Sequence, residues 1–233
     1  MALSDALRRG LDRILGDAFS SLFLYGAVAF PRPERWRIDF DFHVLLHEPL
    51  DDTGRRGVEA LYSELAQLSE LGADLDGYFV LLADASRSEP PQHQLDSRVR
   101  DEAWALHRAH IHAGRYFVVS GIDPRAVVPE PTWPELEAGL RAEMHFVETH
   151  PDATAFGILN SARVLYSFEI RDVVLSKYQA GTWALESMPP VWHDGVRAAM
   201  RWYERAPRVG DERTLNECAA PFVAYVSRLL PLR

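Results

Sequence analysis

At 233 residues, with 47% hydrophobic and 25% charged residues, the chain has an ordinary globular composition and is long enough for two modest domains; long disorder and fibrous repeats are excluded. A formal net charge of -9 argues against a duplex nucleic-acid binder, whose phosphate contacts need clustered Lys and Arg, and suits a small cationic partner better. The single cysteine, Cys218, excludes an internal disulfide, and the longest apolar run, residues 22–30, is too short for a bilayer. With no signal-peptide pattern at the start, a cytoplasmic location without membrane partners is expected.

In chain order, Leu3, Leu7, Leu11, Ile14 and Leu15 fall at helical spacing and predict an amphipathic helix over residues 3–15. The apolar, aromatic stretch 21–30 and the alternating stretch 38–46 predict two strands around a Pro/Arg-rich turn at 31–36, a hairpin-like pair. Val58, Leu61, Leu65 and Leu68 predict a second helix; residues 78–82 a third strand, 86–94 a loop, 98–113 a helix and 116–120 a short strand. Prolines at 124, 129, 131 and 134 mark a linker, and the boundary is drawn there, giving an α/β domain over 1–125 and an all-α domain over 126–233. The second half reads as helices near 134–148, 153–168, 176–187, 192–205 and 212–230.

Within the stretch 38–46, Ile38, Phe40, Phe42 and Val44 are expected to enter the core, so that Asp39, Asp41 and His43 share the opposite face. Residues two apart in a strand sit about 6.5 to 7 Å apart at Cα, close enough for two carboxylates to reach one hard divalent cation. Mg²⁺ shared with a triphosphate is the cation that phosphoryl chemistry needs, while an Asp-x-Asp pair by itself is also a common solvated strand face. Upstream, residues 22–28 run from an apolar strand into Gly26, where a missing side chain lets backbone N–H groups approach phosphate oxygens. His43 lies where it would tune this face. His107, His110 and His112 match no zinc spacing and read as solvated helix and turn residues.

An apolar-Gly segment followed about a dozen residues later by Asp-x-Asp resembles the DNA-polymerase-beta-like nucleotidyltransferases. The stretches 158–167 (ILNSARVLYS) and 176–185 (SKYQAGTWAL) resemble the helical domain of the streptomycin/spectinomycin (aminoglycoside-3″) adenylyltransferases, so the likeness spans most of the chain. It implies a nucleotidyltransferase domain with a mixed sheet and flanking helices, plus a C-terminal helical bundle. It also implies transfer of AMP from Mg-ATP to a hydroxyl of a small, aminoglycoside-like, cationic molecule. Asp39 and Asp41 would hold the metal, and Gly26, Ala27, Arg163 and Lys177 the ATP phosphates. Lys177 is the sole lysine of the chain, and Ser176 before it is a suitable N-cap. Asp76 stands in the place of the family's third carboxylate, a candidate general base for the acceptor hydroxyl or a further ligand completing the metal shell, with Asp74 as its competitor; the family residue is glutamate, one methylene longer. Trp104 and Asp152 are chosen for acceptor binding, although an aromatic residue at helical spacing is as readily a core residue. Two departures bear on activity, since Ala27 and Ile38 stand where relatives carry serine. Ala27 favours an alternative, a catalytically weakened relative that binds nucleotide or another ligand as a module.

Overall fold

Alternation at residues 40–44, followed by the apolar residues 45 and 46, builds strand β2 (Phe40–Leu46) of the computed structural model, which describes residues 2–37 and 39–231. Ile38, expected to open this strand from the core side, lies outside the described residues. β2 pairs antiparallel with β1 (Phe19–Leu24), and parallel with β3 (Leu75–Leu81), which is reached through helix α2 (Asp52–Ala66). β4 (Phe117–Gly121) closes a mixed four-stranded sheet of order β3-β2-β1-β4.

The period of two divides the strand side chains between two cores. On one face, Leu22, Phe42, Val44, Leu46 and Phe79 pack against Leu7 and Leu11 of α1 (Ala2–Leu15) and Val58, Leu61 and Leu65 of α2. On the other, Phe23, Leu45 and Val80 meet Ala85 of the short helix α3 (Leu82–Ala85) and Trp104 and Ile111 of α4 (Trp104–His112).

The expected strand 21–30 is cut short. β1 ends at Leu24, because Gly26 takes a φ of +66° and residues Gly26–Ala29 coil into a 3-10 turn. The expected helix 98–113 begins only at Trp104, since the chain before it makes irregular contacts, among them the turn hydrogen bond from Trp104 N to Asp101 O.

The structure divides into two units, residues 1–29 with 38–131, and residues 30–37 with 132–233. The Pro-rich tract up to Pro131 thus goes with the first unit, whereas the sequence reading draws its line between 125 and 126. Residues 31–36 are not a simple hairpin turn. Trp36, 5% exposed, stacks on Tyr203 at 5.3 Å and meets the edge of Tyr178 at 5.2 Å, which makes segment 30–37 part of the second unit.

That unit holds five helices among its described residues: α5 (Trp133–Thr149), α6 (Thr154–Ile170), α7 (Lys177–Ser187), α8 (His193–Tyr203) and α9 (Asp211–Leu229). α6 is its core helix, with Ile158, Leu159, Ala162, Val164 and Leu165 buried. Asp211 opens α9 and ties it to α8: Arg201 donates from Nε (2.9 Å) and Nη2 (2.5 Å), and the Arg208 amide donates at 2.8 Å. These bonds, led by Arg201, hold its carboxyl down at about 2. A depressed carboxylate contributes stability above its unfolded pKa and loses it as pH falls toward 2. Asp211→Asn should therefore cost about 1.5 to 3 kcal/mol at pH 7, and the difference from wild type should close in acid, as urea melts at several pH values would show. Among the described residues, no helix is long and apolar enough to cross a membrane.

Candidate active site

The first unit's polar features converge where β1 ends and β2 begins. The positive φ of Gly26 brings its Cα against Asp41, such that a Cβ there would lie 1.8 Å from Asp41 Oδ2. The Tyr25 amide donates to the Asp41 carbonyl at 3.1 Å, which fixes the turn to the strand. Only glycine fits both the left-handed backbone and the space. Ala27 follows within the same 3-10 turn, half-buried.

Asp39 and Asp41 are both half-buried. Parallel pairing sets Asp76 of β3 opposite Asp41, so the two side chains leave the same face of the sheet. Asp74 sits two residues earlier, just before β3, where its carbonyl accepts from the Phe40 amide at 3.3 Å. Loss of hydration pushes the Asp76 carboxyl above the usual carboxylate range; negative charge on Asp39, Asp101 and Asp74 adds to this and His107 opposes it. The oxygen-only set Asp39 and Asp41, beside a glycine turn whose bare Cα a side chain would fill, fits a hard cation such as Mg²⁺ carried with phosphate oxygens.

Behind Asp41 on the same strand face lies His43, fully buried. Its ring stacks on Phe23 at 5.3 Å, and its Nε2 lies 3.4 Å from Asp101 Oδ2. The same oxygen takes His107 Nδ1 at 2.8 Å. Burial pushes the His43 imidazole down to about 4, against the pull of Asp101. Burial also disfavours charge on Asp101, but the neighbouring imidazoles, His107 foremost, outweigh it and hold that carboxyl well below its usual range.

The expectation of solvated histidines fails here. His107 is mostly buried in this cluster, His110 is 7% exposed, and His112 Nε2 is 2.9 Å from the Val128 carbonyl oxygen. The sequence signal was weak because His43 and His107 come from distant segments and only the fold brings them together. Trp104, chosen for the acceptor, is fully enclosed in the second core, with its indole N–H donating to the Arg87 carbonyl at 3.3 Å. A large ring at helical spacing was drawn inward by the core, and it has no surface to offer an acceptor.

In the second unit, Lys177 opens α7 behind a full capping box. Ser176 Oγ accepts from the Gln179 amide at 3.2 Å, and Gln179 Oε1 accepts from the Ser176 amide at 2.9 Å. The Lys177 ammonium sits 4.7 Å from the Phe156 ring centre and 5.3 Å from that of Tyr203, in an aromatic seat. On α6, Arg163 donates from Nη2 to Glu143 Oε2 at 3.0 Å, and that oxygen also accepts from Asn160 Nδ2 at 2.8 Å. Asp152 is exposed in the turn before α6.

Residues 135–228, most of the second unit, match a family model described as the aminoglycoside adenylyltransferase C-terminal domain. Among solved structures, spectinomycin adenyltransferase AAD(9) from Enterococcus faecialis, determined with ATP and spectinomycin, is similar with a TM-score of 0.76. The match covers 97% of this chain and 98% of that one at 12% identity, a likeness of fold. No protein of curated function matches by sequence. Residues 135–228 are thus similar to the C-terminal domain of aminoglycoside adenylyltransferases, and the chain as a whole shares the fold of one such enzyme.

Proposed function

We propose that the chain transfers AMP from Mg-ATP to a hydroxyl group of a small, cationic, aminoglycoside-like molecule. The observation that carries this reading is the contact of Gly26 with Asp41, which sets a glycine turn beside a strand carboxylate, with Asp39 just before that strand. The C-terminal domain match and the ATP and spectinomycin of the similar enzyme support it.

On this reading Asp39 and Asp41 hold the cation that accompanies the nucleotide. That cation, when bound, neutralises charge on the triphosphate and orients it for in-line attack. In the first unit the backbone at Gly26 and Ala27 offers its N–H groups to phosphate oxygens, and in the second unit Arg163 and Lys177 are the phosphate-binding side chains. A lysine in the first turn of α7 adds its charge to the helix N-terminus, and its aromatic seat limits the rotamers open to it. Asp76 takes the proton from the acceptor hydroxyl; a carboxyl held above its usual range is a stronger base than an ordinary aspartate. Asp152, exposed and acidic, contributes to holding the cationic acceptor. The protein acts in the cytoplasm.

Acceptor-dependent pyrophosphate release from Mg-ATP, followed over a panel of aminoglycosides and other polyhydroxy amines, tests the reading. Asp76→Asn should lower kcat about 10²- to 10⁴-fold. A variant that turns over at the wild-type rate would remove Asp76 from the mechanism.

Ala27 favours a second reading, in which the same site binds nucleotide without turning it over, since alanine offers no side-chain hydroxyl to a phosphate. Tight Mg-ATP binding with no pyrophosphate release for any acceptor would select that reading.

A further inference from the structure

The cluster behind Asp41 has a donor set unlike the carboxylate pair in front of it. One nitrogen each of His43 and His107 and a carboxylate oxygen of Asp101 lie within 4.8 Å of one another. They come from three segments: β2, the chain just before α4, and α4 itself. Both imidazoles address the same oxygen, Asp101 Oδ2, at 2.8 and 3.4 Å. Ligand atoms held about 2.0 to 2.2 Å from a tetrahedral ion are themselves about 3.3 Å apart, so these separations already bracket a coordination shell.

Hydrogen bonding alone accounts poorly for the arrangement. His43 is wholly buried, and its contact to Asp101 is long for a hydrogen bond. Two neutral imidazoles and one carboxylate are the ligands of a borderline ion such as Zn²⁺; Mg²⁺ prefers oxygen. His107, with its side chain 20% exposed, supplies the only side of the triad open to more than a trace of solvent, since His43 and Asp101 are 0% and 4% exposed.

We propose that His43, Asp101 and His107 form a binding site for one Zn²⁺-class cation, separate from the Asp39 and Asp41 pair. Three protein ligands leave a fourth position for water, and the ion fastens α4 to β2 two residues behind Asp41. The proposal does not depend on adenylyl transfer, since the ligands are named from the first unit's own geometry.

Tag-free protein, stripped with a chelator and titrated with ZnCl₂ against a chelating dye, tests it. Wild type should bind one ion per chain. Asp101→Asn and His107→Gln should each weaken binding at least about tenfold, the least that loss of a ligand or its support costs, while Asp39→Asn with Asp41→Asn should leave it unchanged. Circular dichroism checks that the variants fold; if Asp101→Asn does not, His107→Gln at its partly exposed position decides alone. Absence of Zn²⁺ binding by wild type overturns the proposal. So does wild-type affinity in His107→Gln, or loss of the ion in the Asp39 and Asp41 variant.

Discussion

Replacing Asp39 and Asp41 together by asparagine should reduce acceptor-dependent pyrophosphate release at least about a thousandfold, the loss that follows when about 4 kcal/mol of charge stabilisation is withdrawn. Both residues are half-buried, Asp39 just before β2 and Asp41 near its start, and asparagine keeps their size, so the fold should tolerate the change. The variant should also lose the Mg²⁺-dependent part of its ATP affinity, because Mg²⁺ completes its shell on substrate phosphates and needs the two carboxylates to hold it. Calorimetry with and without Mg²⁺ separates that part from contacts made directly to the nucleotide. Unchanged Mg-ATP binding would mean that the cation sits elsewhere.

The second large effect is expected at Gly26. Gly26→Ala puts a methyl group 1.8 Å from Asp41 Oδ2 on a backbone with φ +66°, so either the turn or the carboxylate must move. Stability should fall by about 1 to 3 kcal/mol, and turnover by about a hundredfold or more, since an ångström of misplacement is enough for that. Gly16→Ala is the control. Its φ is +49°, but nothing lies within 4 Å of the added Cβ, so it should cost about 1 kcal/mol of backbone strain and leave turnover unchanged. Equal activities in the two variants would show that the Gly26 contact has no part in the chemistry.

Much of this architecture was legible before any coordinates. The helices of the second unit follow from 3.6-residue periodicity and Pro or Gly punctuation, and they form within a few residues of the expected ends, as with α6 at Thr154–Ile170 and α7 at Lys177–Ser187. The strand carrying Asp41 and His43 was legible because alternation fixes which side chains share a face, although it opens at Phe40, after Asp39. What escaped were features made by long-range contact. Segment 30–37 looked like a turn because its Pro and Arg content punctuates, yet a single buried ring, Trp36 on Tyr203, commits it to the second unit. The His43, Asp101 and His107 cluster joins residues 58 apart through Asp101, and no local spacing rule could have found it. Trp104 read equally well as a core or an acceptor residue, and only its full burial decides for the core. Asp76 was proposed from its place at an apolar stretch, while the parallel register that sets it opposite Asp41 comes only from the fold.

The most direct test of the proposed reaction follows the phosphorus atoms of ATP. Wild-type protein is incubated with Mg²⁺, an aminoglycoside acceptor and ATP labelled either at the α- or at the γ-phosphorus. Adenylyl transfer predicts α-label on the acceptor and γ-label in pyrophosphate. Label from the γ-position on the acceptor, or no acceptor-dependent transfer across the whole panel, would contradict it.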